Sequence, residues 1–269
     1  MQKYQTFLNS AIHLQTKSVQ SYEIDGLKVW LKKASKRHPW WIYLPLHWIS
    51  ALLNIRILIP VPNLGGANAI HCEAARIRQL EQLNIPVPKV LAESNQGLLI
   101  QDIAHGDEQL MQLDHALARQ PNFEKRQILF ADAIHAIKSV HEKNAYLSEA
   151  FARNILVDSH NNMFFIDFET DPGKTLDIHT CQARDWLCFI FSTAFRFNEQ
   201  ERPHIELMIR TALHDRPEIL QQLVNVGRRF GWLNNIGIEK VGNDGKRMKI
   251  FLFFLKNLTP QQHCNKGMS

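Results

Sequence analysis

The chain has few cysteines, no paired ones, and no stretch of a single character long enough to define a class. Cys72, Cys181, Cys188 and Cys264 form neither a CxxC pair nor a zinc-type spacing, which excludes a disulfide scaffold and a zinc module. Free thiols in a reducing compartment are the expectation. The first fifteen residues lack the basic start, continuous apolar core and small-residue cleavage site of a secretory signal, so a cytoplasmic location is expected. Internal repeats and low-complexity tracts are absent. The net charge of +5 is spread without a long basic run, and no nucleic-acid-binding module is recognisable, so nucleic acid is not an expected partner.

What is present is ordinary globular composition with local patterns. The 45% hydrophobic and 21% charged content excludes disorder, and 269 residues suffice for one large domain or two lobes. Tyr22 and Ile24 precede an Asp25, Gly26 turn, and Leu27, Val29 and Leu31 then alternate, which predicts a hairpin. Lys28, Trp30 and Lys32 share the opposite face of its second strand, so Lys32 can point into a cleft. Residues 38–61 carry Trp41, Leu44, Trp48, Leu52, Ile55 and Ile59 at helical spacing, but Pro45, His47, Asn54 and Arg56 interrupt the run. The segment reads either as a helix packed on the protein's own core or, behind Lys32, Lys33, Lys36 and Arg37, as an interfacial helix at a membrane surface.

Pro60, Pro62, Gly65 and Gly66 break the chain, and a helix over 68–83 is expected. It carries Ile70, Ala74, Ile77 and Leu80 on one face, with Glu73 beside the stripe. Strands are expected over 87–92 and 98–101, followed by a connector from Gln101 to Gly106. Beyond it nearly everything reads as helix, including 123–143, 181–197 and several segments in 203–257. The exception lies within 145–172. There Ile155, Leu156 and Val157 read as one short strand and Met163 to Ile166 as the next, joined by Asp158, Ser159, His160, Asn161 and Asn162. The hairpin brings the amide oxygen of Asn154 and the carboxylate of Asp167 to one end. Two hard oxygen ligands suit a Mg²⁺ ion that phosphates also hold. Glu169 and Asp171 read as an exposed acidic turn or a second metal contact. His135, His141 and His160 have no spaced partners and read as helix or loop histidines.

The order strand lysine, helix glutamate, apolar strand pair, connector, long helix, Asn-containing loop and Ile166, Asp167, Phe168 resembles the protein-kinase-like fold. The resemblance covers about residues 20–200 and lies nearer the small-molecule phosphotransferases, with bacterial lipopolysaccharide-core and Kdo kinases most similar. It implies an α+β, two-lobed protein: a small antiparallel-sheet lobe over 1–102 with 38–61 as an insertion, and a mostly helical lobe over 103–269. It further implies ATP and Mg²⁺ as cofactors, with Lys32, paired to Glu73, on the phosphates. Gln101 and Ile103 would border the nucleotide, Asn154 and Asp167 would hold metal, and Asp185 would brace the catalytic loop. The implied acceptor is a hydroxyl on a sugar, lipid or lipopolysaccharide precursor at the inner membrane's cytoplasmic face.

The sequence departs from the family pattern at two places that bear on chemistry. Lys17, Ser18, Val19, Gln20 and Ser21 stand where a Gly-rich loop is expected. Counting five positions back from Asn154 gives Glu149 as the base where the family has aspartate, with Leu147 and Ser148 in place of its usual partners. The alternative expectation is therefore a pseudokinase, a nucleotide-binding or scaffolding protein on the same fold.

Overall fold

The computed structural model describes residues 2–35, 56–59, 61, 65–104, 109–240 and 242–258. It is an α+β protein with a small antiparallel sheet followed by a mainly helical portion. Most of the amphipathic segment 38–61 lies outside the described residues; within it, Arg56–Leu58 form a single 3-10 turn. His105 and Gly106 of the expected connector also lie outside them.

Strands β1 (Val19–Ile24) and β2 (Leu27–Lys33) form the expected hairpin, with Ile24 opposite Leu27. Asp25 and Gly26 both take positive φ, 53° and 74°, which gives a two-residue turn the twist that antiparallel strands require. Strands β3 (Val90–Ser94) and β4 (Gly97–Gln101) complete an antiparallel sheet of order β1-β2-β4-β3 among the described residues. Its two faces are used differently. Val29 and Leu31 of β2 pack with Leu8, Ala11 and Ile12 of helix α1 (Gln2–Leu14), and all five are buried. Lys28, Trp30 and Lys32 point the other way, as period-two alternation demands. Helix α2 (Gly66–Gln82) packs on β3 and β4, burying Ile70, Ala74, Ile77 and Leu80 as its periodicity predicts.

A second, three-stranded antiparallel sheet has the order β5-β6-β7. In it β6 (Ile155–Val157) and β7 (Met163–Phe165) form the expected hairpin, and the short strand β5 (Met111–Gln112) adds to the β6 edge. Asp158 organises the β6–β7 turn by accepting from the backbone N–H of His160 and of Asn162, each at 2.8 Å. Helix α3 (Leu113–Arg119) leads to α4 (Phe123–Glu142), which Asn122 caps by accepting from Lys125 N at 3.0 Å. Asp177 caps α5 (Ile178–Thr193) in the same way.

Phe130 of α4 stacks on Phe189 of α5 with centroids 5.1 Å apart, at the centre of the larger core. Helices α6 (Arg202–Ala212), α7 (Pro217–Phe230) and α8 (Gly242–Asn257) close that core through Ile205, Leu223 and Leu255. Among the described residues no helix is long and apolar enough to cross a membrane.

Gly97 shows how tightly the sheet holds its central lysine strand. A Cβ built there would lie 2.7 Å from the carbonyl oxygen of Lys32 and 2.5 Å from Ile12 Cδ1. Ile12 can turn aside, but the Lys32 carbonyl belongs to the β2–β4 ladder and cannot. Gly97→Ala is expected to destabilise the protein by about 1–3 kcal/mol, the usual range for overpacking. Chemical denaturation checks this, and an unchanged midpoint would contradict it.

Candidate active site

Four distant parts of the chain meet on one cleft of about 920 Å³, within the range of small-molecule sites. Strand β2 supplies Lys32, α2 supplies Glu73, the 3-10 turn Ala152–Asn154 supplies Asn154, and the residue following the β7 segment and Ile166 is Asp167. Gln101 and Ile103 line the same cleft at the end of β4. Pro88, Ile100, Leu156 and Ile166 give it apolar walls, and Trp30 adds an indole.

Lys32 is the hub. Its Nζ lies 2.8 Å from Glu73 Oε2, 2.7 Å from Glu169 Oε1 and 3.3 Å from Asp167 Oδ1. Burial alone would disfavour the ammonium, but the carboxylates of Glu73, Asp167 and Glu169 outweigh it and hold the Lys32 pKa above its ordinary value. Glu73 is nearly inaccessible; its burial pushes its carboxyl upward, opposed by Lys32. Removing Lys32 would therefore strand a buried carboxylate, so the pair is a fixture of the site rather than a loose surface contact.

Asn154 and Asp167 are placed by the hairpin between them. Ile166 N donates to Asn154 O at 3.0 Å, tying the two ends of the hairpin together. Asn154 Nδ2 donates to Glu149 O at 3.2 Å, which fixes the amide and leaves its hard oxygen as the other polar atom. Asp167 has φ 72° and Ser148 has φ 75°, left-handed conformations that non-glycine residues adopt at a cost. Both sit at the two ends of the segment that shapes this cleft, where strain of this kind tends to be kept.

Asp185 is completely buried on α5, and its Oδ2 accepts from Leu147 N at 2.6 Å. It thus holds the loop before Asn154 from beneath, the bracing position expected for it. The same Oδ2 lies 3.0 Å from His141 Nε2 at the end of α4. Gln182 donates to the carbonyls of His141 and Ala145, so helix end, loop and α5 form one buried polar network. His141 is a helix residue as expected, but it has a buried partner in Asp185.

Two further corrections come from the geometry. Glu169 is not part of an exposed acidic turn: it lines the cleft and pairs with Lys32. Glu149 is not among the residues lining the cleft; its side chain lines a neighbouring apolar cavity, 4.0 Å from Arg184. Burial raises the Glu149 pKa, with Arg184 opposing and Asp167 adding to the rise. Arg153, which sequence reasoning passed over, lines the cleft beside Asn154. Position next to Asn154 was its only signal.

Three acidic side chains, Glu73, Asp167 and Glu169, meet at Lys32, while Lys28, Lys33 and Arg153 line other parts of the cleft. A triphosphate approaching Asp167 would meet like charge unless a divalent cation intervened. Among the described residues no group of three or more His, Cys, Asp or Glu side chains forms a metal cage. Mg²⁺ needs none where phosphates complete its shell, and Asn154 with Asp167 offers the hard oxygens that it uses. No protein-family model matches the chain, and no curated protein is significantly similar to it.

Proposed function

We propose that the protein is an ATP- and Mg²⁺-dependent phosphotransferase with a two-lobed, protein-kinase-like arrangement. The lobes are 1–102 and 103–269, and the acceptor is a hydroxyl of a sugar, lipid or lipopolysaccharide precursor. The observation that carries this reading is the convergence of Lys32, Glu73, Asn154 and Asp167 on one cleft from four separate parts of the sequence.

In this reading Lys32, oriented by Glu73, holds phosphate oxygens, and Gln101 and Ile103 border the nucleotide's base. Ser18 and Val19 line the cleft where backbone N–H groups of a Gly-rich loop would cradle phosphate. Asn154 and Asp167 would hold Mg²⁺, which would supply positive charge against the phosphoryl oxygens. The acceptor oxygen forms a bond to the γ-phosphorus as the bond from that phosphorus to the bridging oxygen breaks. ADP leaves, and the hydroxyl proton passes to the Glu149 carboxylate, which must swing from the neighbouring cavity to the cleft side of its loop to receive it.

Glu149→Gln is expected to lower kcat on the order of 10²–10⁴-fold while leaving nucleotide affinity unchanged. Transfer of labelled γ-phosphate from ATP to a cell-envelope extract, with Mg²⁺, checks both the reaction and this variant. An unchanged rate in Glu149→Gln would remove the glutamate from the mechanism.

One observation favours a second reading. The Glu149 carboxylate lies nearest Arg184 and outside the cleft lining, which suits a nucleotide-binding scaffold at the inner-membrane surface that does not turn over. Saturable ATP binding with no transfer to any acceptor would select it.

A further inference from the structure

A second cavity, of about 370 Å³, opens on the other side of the loop that bears Asn154. The loop is the partition. Glu149 and Phe151 line this cavity, whereas Arg153 and Asn154 line the larger cleft. The left-handed turn at Ser148 and the 3-10 turn at Ala152–Asn154 send neighbouring side chains to opposite sides. The Arg153 guanidinium stacks over the Phe151 ring at 4.7 Å and so joins the two walls.

The cavity's character is unlike that of the cleft. Among the described residues, apart from Glu149 and Arg184 its lining side chains are hydrocarbon, aromatic ring and sulfur, with Leu58, Leu187, Phe191 and Phe251 prominent. Arg184 Nη1 donates to the carbonyls of Ile57 and Ile59, each at 3.0 Å, and holds that turn at the cavity's edge. Among the described lining side chains, Glu149 is thus the carboxylate acceptor that a largely apolar space presents to a guest.

We propose that this cavity binds the hydrocarbon part of an amphiphilic alcohol whose hydroxyl is directed to Glu149. The inference rests on the phosphotransferase reading for its catalytic meaning and selects the lipid-like acceptor from the classes named above. A free sugar has too many hydroxyls for a space with one acceptor, since each unpaired one would be desolvated at a cost. An alkyl or prenyl chain has none.

Titration calorimetry of the full chain with n-alkyl β-D-glucosides from butyl to octyl, each below its micelle concentration, tests the proposal. Affinity should rise about fourfold per methylene until the cavity is filled, as expected for apolar surface leaving water. Met248, half-buried in the lining, provides the variant: Met248→Trp should fill the space and flatten the chain-length dependence.

Affinity independent of chain length, or a slope that Met248→Trp leaves intact, would overturn the proposal. The thermal shift with ATP and Mg²⁺ on the same samples reports the other cleft and the integrity of the variant. A retained shift with a flat alkyl series rejects the amphiphile and leaves the kinase reading. A steep series that Met248→Trp abolishes, without a nucleotide shift, supports the cavity's ligand and removes the transfer reading.

Discussion

Asp167→Asn should reduce phosphoryl transfer on the order of 10²–10³-fold, equivalent to about 2.7–4 kcal/mol of transition-state stabilisation. The substitution keeps the size of the side chain and one oxygen but removes the charge that would face a metal in the proposed site. The fold should survive it. Lys32 retains Glu73 at 2.8 Å and Glu169 at 2.7 Å, so no buried charge is stranded. Asparagine also tolerates the left-handed backbone that Asp167 adopts at φ 72°. Loss of activity together with an unchanged melting temperature would locate the effect in metal and phosphate handling. Full activity in Asp167→Asn would exclude Asp167 as a metal ligand.

The largest stability effect is expected at Asp185. Asp185→Ala removes the partner of both His141 Nε2 and Leu147 N, two buried groups. Breaking a buried polar pair from one side costs about 3–5 kcal/mol. For a chain of this size that lowers Tm by roughly 10 °C. Asp185→Asn should fall between, because its amide oxygen can still accept from one of the two donors. His141→Ala combined with Asp185→Ala should cost less than the sum of the single changes, since both remove one shared contact. Thermal and chemical denaturation of the three variants measure this. Strict additivity would mean that the two side chains act separately.

The two networks differ in how far the sequence disclosed them. The β6–β7 hairpin was legible because two short apolar runs and the turn residues between them lie within eleven positions, with Asn154 directly before it and Asp167 just beyond Ile166. Lys32 and the α2 stripe were legible for the same reason: periods of two and 3.6 are local properties. The turn at Asp25 and Gly26 announced its hairpin through residue type alone.

Helix α1 was not foreseen. Its fully buried residues are only Leu8, Ala11 and Ile12, with Tyr4 and Phe7 partly buried beside them, and it becomes a core element because the sheet, β3 above all, lies beneath it. Strand β5 is two residues long, too short for any alternation to show. The part played by His141 depends on an aspartate 44 residues away, and that of Glu169 on a lysine in the first hairpin. Neither spacing is a pattern that local periodicity can reveal. Glu149 is the most instructive residue. Counting from Asn154 placed it on the right loop, but the left-handed Ser148 beside it turns the chain, and spacing says nothing about which side of the loop a carboxylate faces. The two cavities separated by that loop are a tertiary fact.

The account stands on one claim, that Lys32, Asn154 and Asp167 form a site for a metal–nucleotide complex. Calorimetric titration of the protein with ATP, in Mg²⁺ and again in EDTA, measures it most directly. The account predicts saturable one-to-one binding that weakens at least tenfold in EDTA, with the Mg²⁺-dependent part missing from Asp167→Asn. Absence of ATP binding in both conditions, or binding that neither EDTA nor Asp167→Asn alters, would contradict it.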